Sequence, residues 1–233
     1  MKSRRSSRYS GYRFPSEIIS YAIWPYHRFC ISFRDVEDLL AERGILVSYE
    51  TIRLWCQKFG ADYVRKLKRR QGRLGDHWHL DEVFLRIDGQ LQYLWRAIDQ
   101  DGDVIDILVQ PRRDRRAAER FFRRLLCGQG REPLRIITDR LRSYSAAMRT
   151  SFCHVAHTTE HSANNRMEAS HQPTRQQERQ MRRFKSARQA QRFLSLRGVV
   201  HNLFRLGRHL TRSENYRFLL SRSFSIWRTV TLG

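Results

Sequence analysis

Residues 77–99, HWHLDEVFLRIDGQLQYLWRAID, set two alternating apolar rows on either side of Asp88-Gly89, and no other stretch constrains the fold as tightly. An Asp-Gly pair accommodates the positive φ angles of a two-residue turn, so the segment is predicted to be an antiparallel hairpin. Asp81, Val83, Leu85 and Ile87 share one face of the first strand. Leu91, Tyr93, Trp95 and Ala97 share a face of the second, which ends at Asp99. A carboxylate in line with an apolar row is costly to bury alone, so Asp81 calls for a cation, a partner or a proton. Taken by itself, Asp81 is more simply read as a strand-end residue facing solvent.

Beyond the hairpin, strand and helix alternate. VIDILVQP (104–111) reads as a third strand, and Asp114 can cap a helix over DRRAAERFFRRLL. In that helix Ala117, Ala118, Phe121, Phe122, Leu125 and Leu126 make one apolar stripe under a coat of arginine. LRIITD is a short β-branched run that reads as a buried strand finishing at Asp139. SYSAAMRTS predicts a short helix and VAHTT a fifth strand. From Asn164 onward the pattern is helical, with a kink or restart at Pro173. The expected fold class is therefore α/β, a mixed sheet with helices on its faces.

Charge narrows the function. Lys and Arg total 45 against 23 Asp and Glu, a net charge of +22 spread along the whole chain. Such an excess points to a polyanion, most simply nucleic acid, rather than to a membrane surface, where the charge would sit on one amphipathic helix. Residues 1–14 read as a mobile basic arm. Pro15-Ser16 opens a helix interrupted at Pro25. A helix over Ser32–Glu42 stops at Gly44, and Ser48 caps a second one running to Gly60. Two short helices joined by a glycine-bearing turn, with Tyr49, Thr51, Arg53 and Lys58 facing outward, suggest a helix-turn-helix whose second helix lies in the major groove. Many such αα hairpins bind nothing. The next run, which includes Lys66, Arg69 and Arg70, reads as a linker along a phosphate backbone. The expected division is a basic arm over 1–14, a helix-turn-helix domain with its linker over 15–72, a catalytic domain over 73–210 and a tail over 211–233.

The four cysteines form no CxxC pair, and no run of 18 apolar residues occurs, so the expectation is a cytoplasmic protein with reduced thiols and no membrane span. Cys153, His154 and His157 match no zinc spacing and read as core or surface residues.

Carboxylates at strand ends can meet across neighbouring strands of such a sheet. Asp81 sits in the first strand, Asp139 ends the fourth and Glu168 lies on the following helix. Three converging carboxylates suit a pair of Mg²⁺ or Mn²⁺ ions, which take oxygen ligands and substrate phosphates. Glu82 is expected on the opposite side of its strand as a supporting or solvent-facing group, and Asp99, Asp101 and Asp103 as solvated turn residues. Trp55, Trp78 and Trp95 are expected in the core.

Four stretches together resemble the DDE transposases of the bacterial insertion sequence IS 6 group: ISFRDVEDLLAERGILVSYETIRLWCQKFG, WHLDEVFLRIDGQLQYLWRAIDQDGDVIDILVQPRRDRRAAERFF, ITDRLRSYSAA and NNRMEASHQPTRQQERQMRRFKSARQAQRFL. The resemblance implies an RNase H-like catalytic domain behind the helix-turn-helix, with the catalytic and metal-binding triad on Asp81, Asp139 and Glu168 and two Mg²⁺ or Mn²⁺ ions per site. It further implies a phosphate-holding Arg175, with Asn165, Arg166 and His171 in support. It implies binding to terminal inverted repeats, strand cleavage and transfer, replicative transposition through cointegrates, and action on nucleoid DNA as a dimer or higher oligomer. The chain departs from the family in its short interval of 28 residues between Asp139 and Glu168, in Ala169 and in Pro25. Two other readings of the same residues are a DNA-binding regulator with an inactive RNase H-like domain and a nuclease that only hydrolyses.

Overall fold

The computed structural model describes residues 8–139, 141–159 and 184–233. Asp88 and Gly89 take φ angles of 50° and 74°, the left-handed pair that a two-residue hairpin turn demands. They join β1 (His77–Ile87) to β2 (Gln90–Asp99), and β2 pairs antiparallel with β3 (Val104–Gln110). The other edge of β1 carries β4 (Arg135–Thr138) and then β5 (Ala156–Thr158), both parallel to it. The order β3-β2-β1-β4-β5, with three antiparallel strands beside two parallel ones, is an RNase H-like sheet.

The strand alternation separates two cores. Val83, Leu85, Ile87, Leu94, Ile98 and Ile107 face one side, and Trp78, Leu80, Trp95, Ala97 and Ile105 face the other. The second side is covered by α4 (Arg115–Gln129) and α5 (Arg142–Ser151), through Ala117, Ala118, Phe121, Phe122, Leu125, Tyr144 and Ala147. Asp114 caps α4 by accepting from the Ala117 N–H at 2.8 Å, as its sequence predicts. The first side is covered by the N-terminal helices α1 (Ser16–Arg28), α2 (Phe33–Ala41) and α3 (Tyr49–Arg70), together with α6 (Ala187–Phe204) and α7 (Ser213–Leu232).

The helical half differs from expectation in four places. Pro25 sits inside α1 rather than ending it. Ile19, Ala22, Ile23 and Tyr26 are buried along the same helix, and that burial outweighs the one backbone bond that proline forfeits. Likewise α3 does not stop at Gly60 but runs to Arg70, so the expected basic linker is helix. Gly60 serves close approach instead: a β-carbon there would stand 3.3 Å from Leu196 Cδ2 of α6. Residues 8–14, expected to be mobile, are tied down. Arg8 pairs with Asp62, and the buried Tyr9 hydroxyl lies 2.6 Å from that of Tyr63 while donating to the Thr231 carbonyl. Finally, the weakly patterned C-terminus is the long helix α7, which buries Trp227 and Val230 in the core shared with α1 and α3.

Candidate active site

Parallel pairing of β1 with β4 sets Leu80 against Thr138, so the next residues lie side by side, Asp81 within β1 and Asp139 just past the end of β4. Ligand oxygens of Asp81, Glu82 and Asp139 all lie within 4.8 Å of one another, the one such cluster among the described residues. Each aspartate is oriented by backbone. Asp81 Oδ1 accepts from the Glu82 N–H at 2.8 Å, and Asp139 Oδ1 from the Leu141 N–H at 3.0 Å. Below them the Thr138 hydroxyl donates to the Asp139 carbonyl at 2.8 Å and meets His157 Nε2 at 2.9 Å.

Glu82 is not solvent-facing. Its side chain does project to the opposite face from Asp81, but α4 and α5 cover that face and leave it 1% exposed. Burial, and then the Asp139 charge, push its carboxyl up to about 7. Arg113, in the loop between β3 and α4, ion-pairs with Glu82 and brings Nη2 to 3.6 Å from Asp139 Oδ2. The buried Tyr144 hydroxyl lies beside the Glu82 carboxylate, and burial, then the Glu82 charge, raises its pKa well above the usual value. Burial, with the Asp81 charge added, also raises the Asp139 pKa, even though the Leu141 N–H and Arg113 oppose the shift. Asp81 and Asp139 together offer an all-oxygen donor set, with Asp139 raised by burial and the Asp81 charge, that fits a hard divalent cation such as Mg²⁺ or Mn²⁺, while Glu82 beside them is taken by Arg113.

Glu168, Arg175, Asn165, Arg166 and His171 lie outside the described residues. Asp99 is not solvated as expected. It is 2% exposed and accepts from the N–H groups of Gly75, Asp101 and Asp103 at 2.9, 3.0 and 2.8 Å, closing the β2–β3 turn. Trp55, Trp78 and Trp95 are core residues, as expected.

Of the expected DNA contacts, Lys58, Arg69 and Arg70 are exposed and Tyr49 is open to solvent under the Arg34 guanidinium, 5.2 Å from its ring. Arg53 is engaged by Glu50, the Thr51 hydroxyl meets Ser48 Oγ at 3.0 Å, and Lys66 Nζ reaches the Val230 carbonyl at 3.4 Å. Thr51 and Lys58 open onto a groove of about 690 Å³ that Tyr12, Arg13 and Arg192 also line. Arg113, Tyr144, Arg13 and Arg192 were not legible as site residues. Nothing in the local pattern marks one arginine among so many, and only the folded chain shows which carboxylate or groove it reaches.

A family model described as a DDE domain, of the IS240 transposase type, matches residues 75–206. The transposase for insertion sequence-like element IS431mec of Staphylococcus aureus is 33% identical over 136 residues, 58% of this chain and 60% of that protein. The transposase for insertion sequence element IS257 in transposon Tn4003, also of Staphylococcus aureus, is 32% identical over the same length. The chain thus spans about 60% of the length of the curated relatives it matches. Among solved structures, the HTLV-2 integrase catalytic core domain in complex with magnesium aligns at a TM-score of 0.40 and 14% identity, over 59% of this chain and 90% of that one. With its matching segment running from just before β1 to the end of α6, the chain belongs to the DDE-domain family of IS 6-type transposases.

Proposed function

We propose that this chain is the transposase of an insertion sequence, binding the terminal inverted repeats of its element and cutting and joining DNA at the Asp81–Asp139 site with Glu168 as the third carboxylate. The observation that carries this reading is the side-by-side placement of Asp81 and Asp139 on paired neighbouring strands in a chain of the DDE-domain family. Two Mg²⁺ or Mn²⁺ ions bound there would activate the attacking oxygen and steady the leaving oxygen of an in-line displacement at phosphorus. Asp81 and Asp139, held by the Glu82 and Leu141 N–H groups, present fixed oxygens to that cation pair. Water attacks the phosphodiester at the element's end and releases a 3′-hydroxyl; that hydroxyl then attacks a target phosphodiester, and the target's 3′-oxygen leaves. Replicative transposition through cointegrates results from the same two steps when the second strand is left uncut.

Residues 15–72 serve as the end-binding unit, with Tyr49, Thr51, Arg53 and Lys58 toward the duplex and Lys66, Arg69 and Arg70 toward its backbone, Arg175 holding a phosphate at the site. Residues 73–210 serve as the catalytic unit, with Asn165, Arg166 and His171 supporting Glu168. The exposed basic residues of α3 and the groove bearing Arg13, Lys58 and Arg192 support this division of labour. The protein works as a dimer or higher oligomer on nucleoid DNA in the cytoplasm. None of its described helices is long and apolar enough to cross a membrane. The reading is tested by strand transfer on end-containing duplex with Mg²⁺ or Mn²⁺. Asp139→Asn and Glu168→Gln are each expected to lose at least about a thousandfold in rate, and retained activity in Asp139→Asn rejects the site. Nicked but unjoined products would identify a hydrolase instead, and binding without cleavage a regulator.

A further inference from the structure

No motif reading gives Arg113 a role, yet it is the side chain that links Glu82 to Asp139. Its Nε and Nη2 edge engages Glu82, a carboxylate 1% exposed on the side of the sheet covered by α4 and α5. The guanidinium also rests 5.4 Å from the centre of the Phe84 ring. A buried carboxylate on one edge and an aromatic face below fix a guanidinium in a single plane, which a flexible surface arginine lacks. About a third of the Arg113 side chain remains exposed, and Nη2 lies 3.6 Å from Asp139 Oδ2. The guanidinium is thus partly open to solvent within reach of the Asp81–Asp139 pair, where its N–H groups not engaged by Glu82 can bond an oxyanion.

We propose that Arg113 is a phosphate-binding residue of this site, taking the phosphodiester that is to be cut, and that Glu82 is the positioning residue that holds its guanidinium in place. This rests on the reading of Asp81 and Asp139 as the reacting centre. It differs in kind from the basic groove on α3, because Arg113 addresses one phosphate rather than the duplex backbone at large. Glu82 acts only through Arg113. The Phe84 ring supports the cation and is itself 51% exposed.

The test measures binding of the full chain to duplexes carrying the element's end, with either a native phosphodiester or an uncharged methylphosphonate at the cleavage position. R113Q is expected to weaken binding of the native duplex about five- to tenfold and to leave binding of the methylphosphonate duplex unchanged. R113K, which keeps the charge but not the fork, falls between. E82Q reproduces part of the R113Q loss, and E82Q/R113Q is no weaker than R113Q, because the two act as one unit. The double variant also removes both charges at once, so a buried unpaired Glu82 does not confound the result. Equal weakening of both duplexes by R113Q, or no weakening of either, overturns the assignment of Arg113. A wild-type chain that neither binds nor cuts the end duplex overturns the underlying site reading, and this inference with it.

Discussion

Lys68, in the last turn of α3, ion-pairs at 3.0 Å with Asp106 in the middle of β3, and Arg124 of α4 meets the same carboxylate at 2.7 Å. One acid thus joins the N-terminal helices, the sheet edge and the crossover helix. Asp106 is buried, whereas Lys68 and Arg124 stay partly in water. Asp106→Ala is expected to lower unfolding free energy by about 2 kcal/mol, less than for a fully buried ion pair. Urea denaturation measures it; a change under about 0.5 kcal/mol would show that the junction is ornamental.

Gly60 is the second point at which α3 is held. Its missing side chain admits Leu196 of α6, which is itself buried. Gly60→Val crowds the Leu196 side chain at this close approach and is expected to cost about 1–3 kcal/mol, despite removing a helix-interior glycine. A stabilised Gly60→Val protein would mean that the two helices are not in close contact in solution.

His27 is fully enclosed on α1, with Nδ1 on the Ile23 carbonyl at 2.8 Å, and burial lowers its pKa to about 4. The unfolded chain protonates it near its ordinary 6.5 while the folded chain keeps it neutral. Stability is therefore complete above pH 6.5 and is lost as pH falls toward 4. The contribution is on the order of 3 kcal/mol. Comparing denaturation midpoints at pH 7 and pH 5 for wild type and His27→Gln tests it: the variant should lose part of the acid sensitivity, and identical pH slopes would count against His27.

Trp227 of α7 packs edge-on against Tyr63 of α3, with ring centroids 5.5 Å apart. Trp227→Ala is expected to cost about 3–5 kcal/mol, with faster hydrogen exchange in α1 and α3 as well as in α7. An unchanged melting temperature would detach the C-terminal helix from the core.

The groove formed by the N-terminal segment, α3 and α6 should neutralise phosphates through Arg13, Lys58 and Arg192. Each single change to Ala is expected to reduce the slope of log K against log salt by about 1 for end-containing and unrelated duplexes alike. A slope that does not move in any of the three variants would place the duplex elsewhere.

Much of this molecule was written in short-range pattern. The β1–β2 hairpin, the Ser48 and Asp114 caps and the apolar stripe of α4 all emerge where residue spacing and turn chemistry put them. The neighbouring positions of Asp81 and Asp139 come from the parallel pairing of the short β4 with the first half of β1. Local signals failed where burial overruled them. Pro25 and Gly60 read as stops because proline lacks a donor and glycine weakens a helix, yet both sit in helices held by contacts from afar. The serines at 221, 223 and 225 blur the apolar period of α7, which declares itself only once Trp227 and Val230 meet α1 and α3.

The sequence by itself determined the family, the alternation of strand and helix, and the two aspartates, because these depend on residue type and near neighbours. Only tertiary structure decided that Glu82 is buried, that Arg113 reaches both it and Asp139, and that the basic run after Gly60 is a helix bolted to β3. The physical reason is that a charge acquires its meaning from what surrounds it. Water-facing arginines are interchangeable in a chain with a net charge of +22, and one becomes distinct only when the fold sets an acid against it in a place water does not reach.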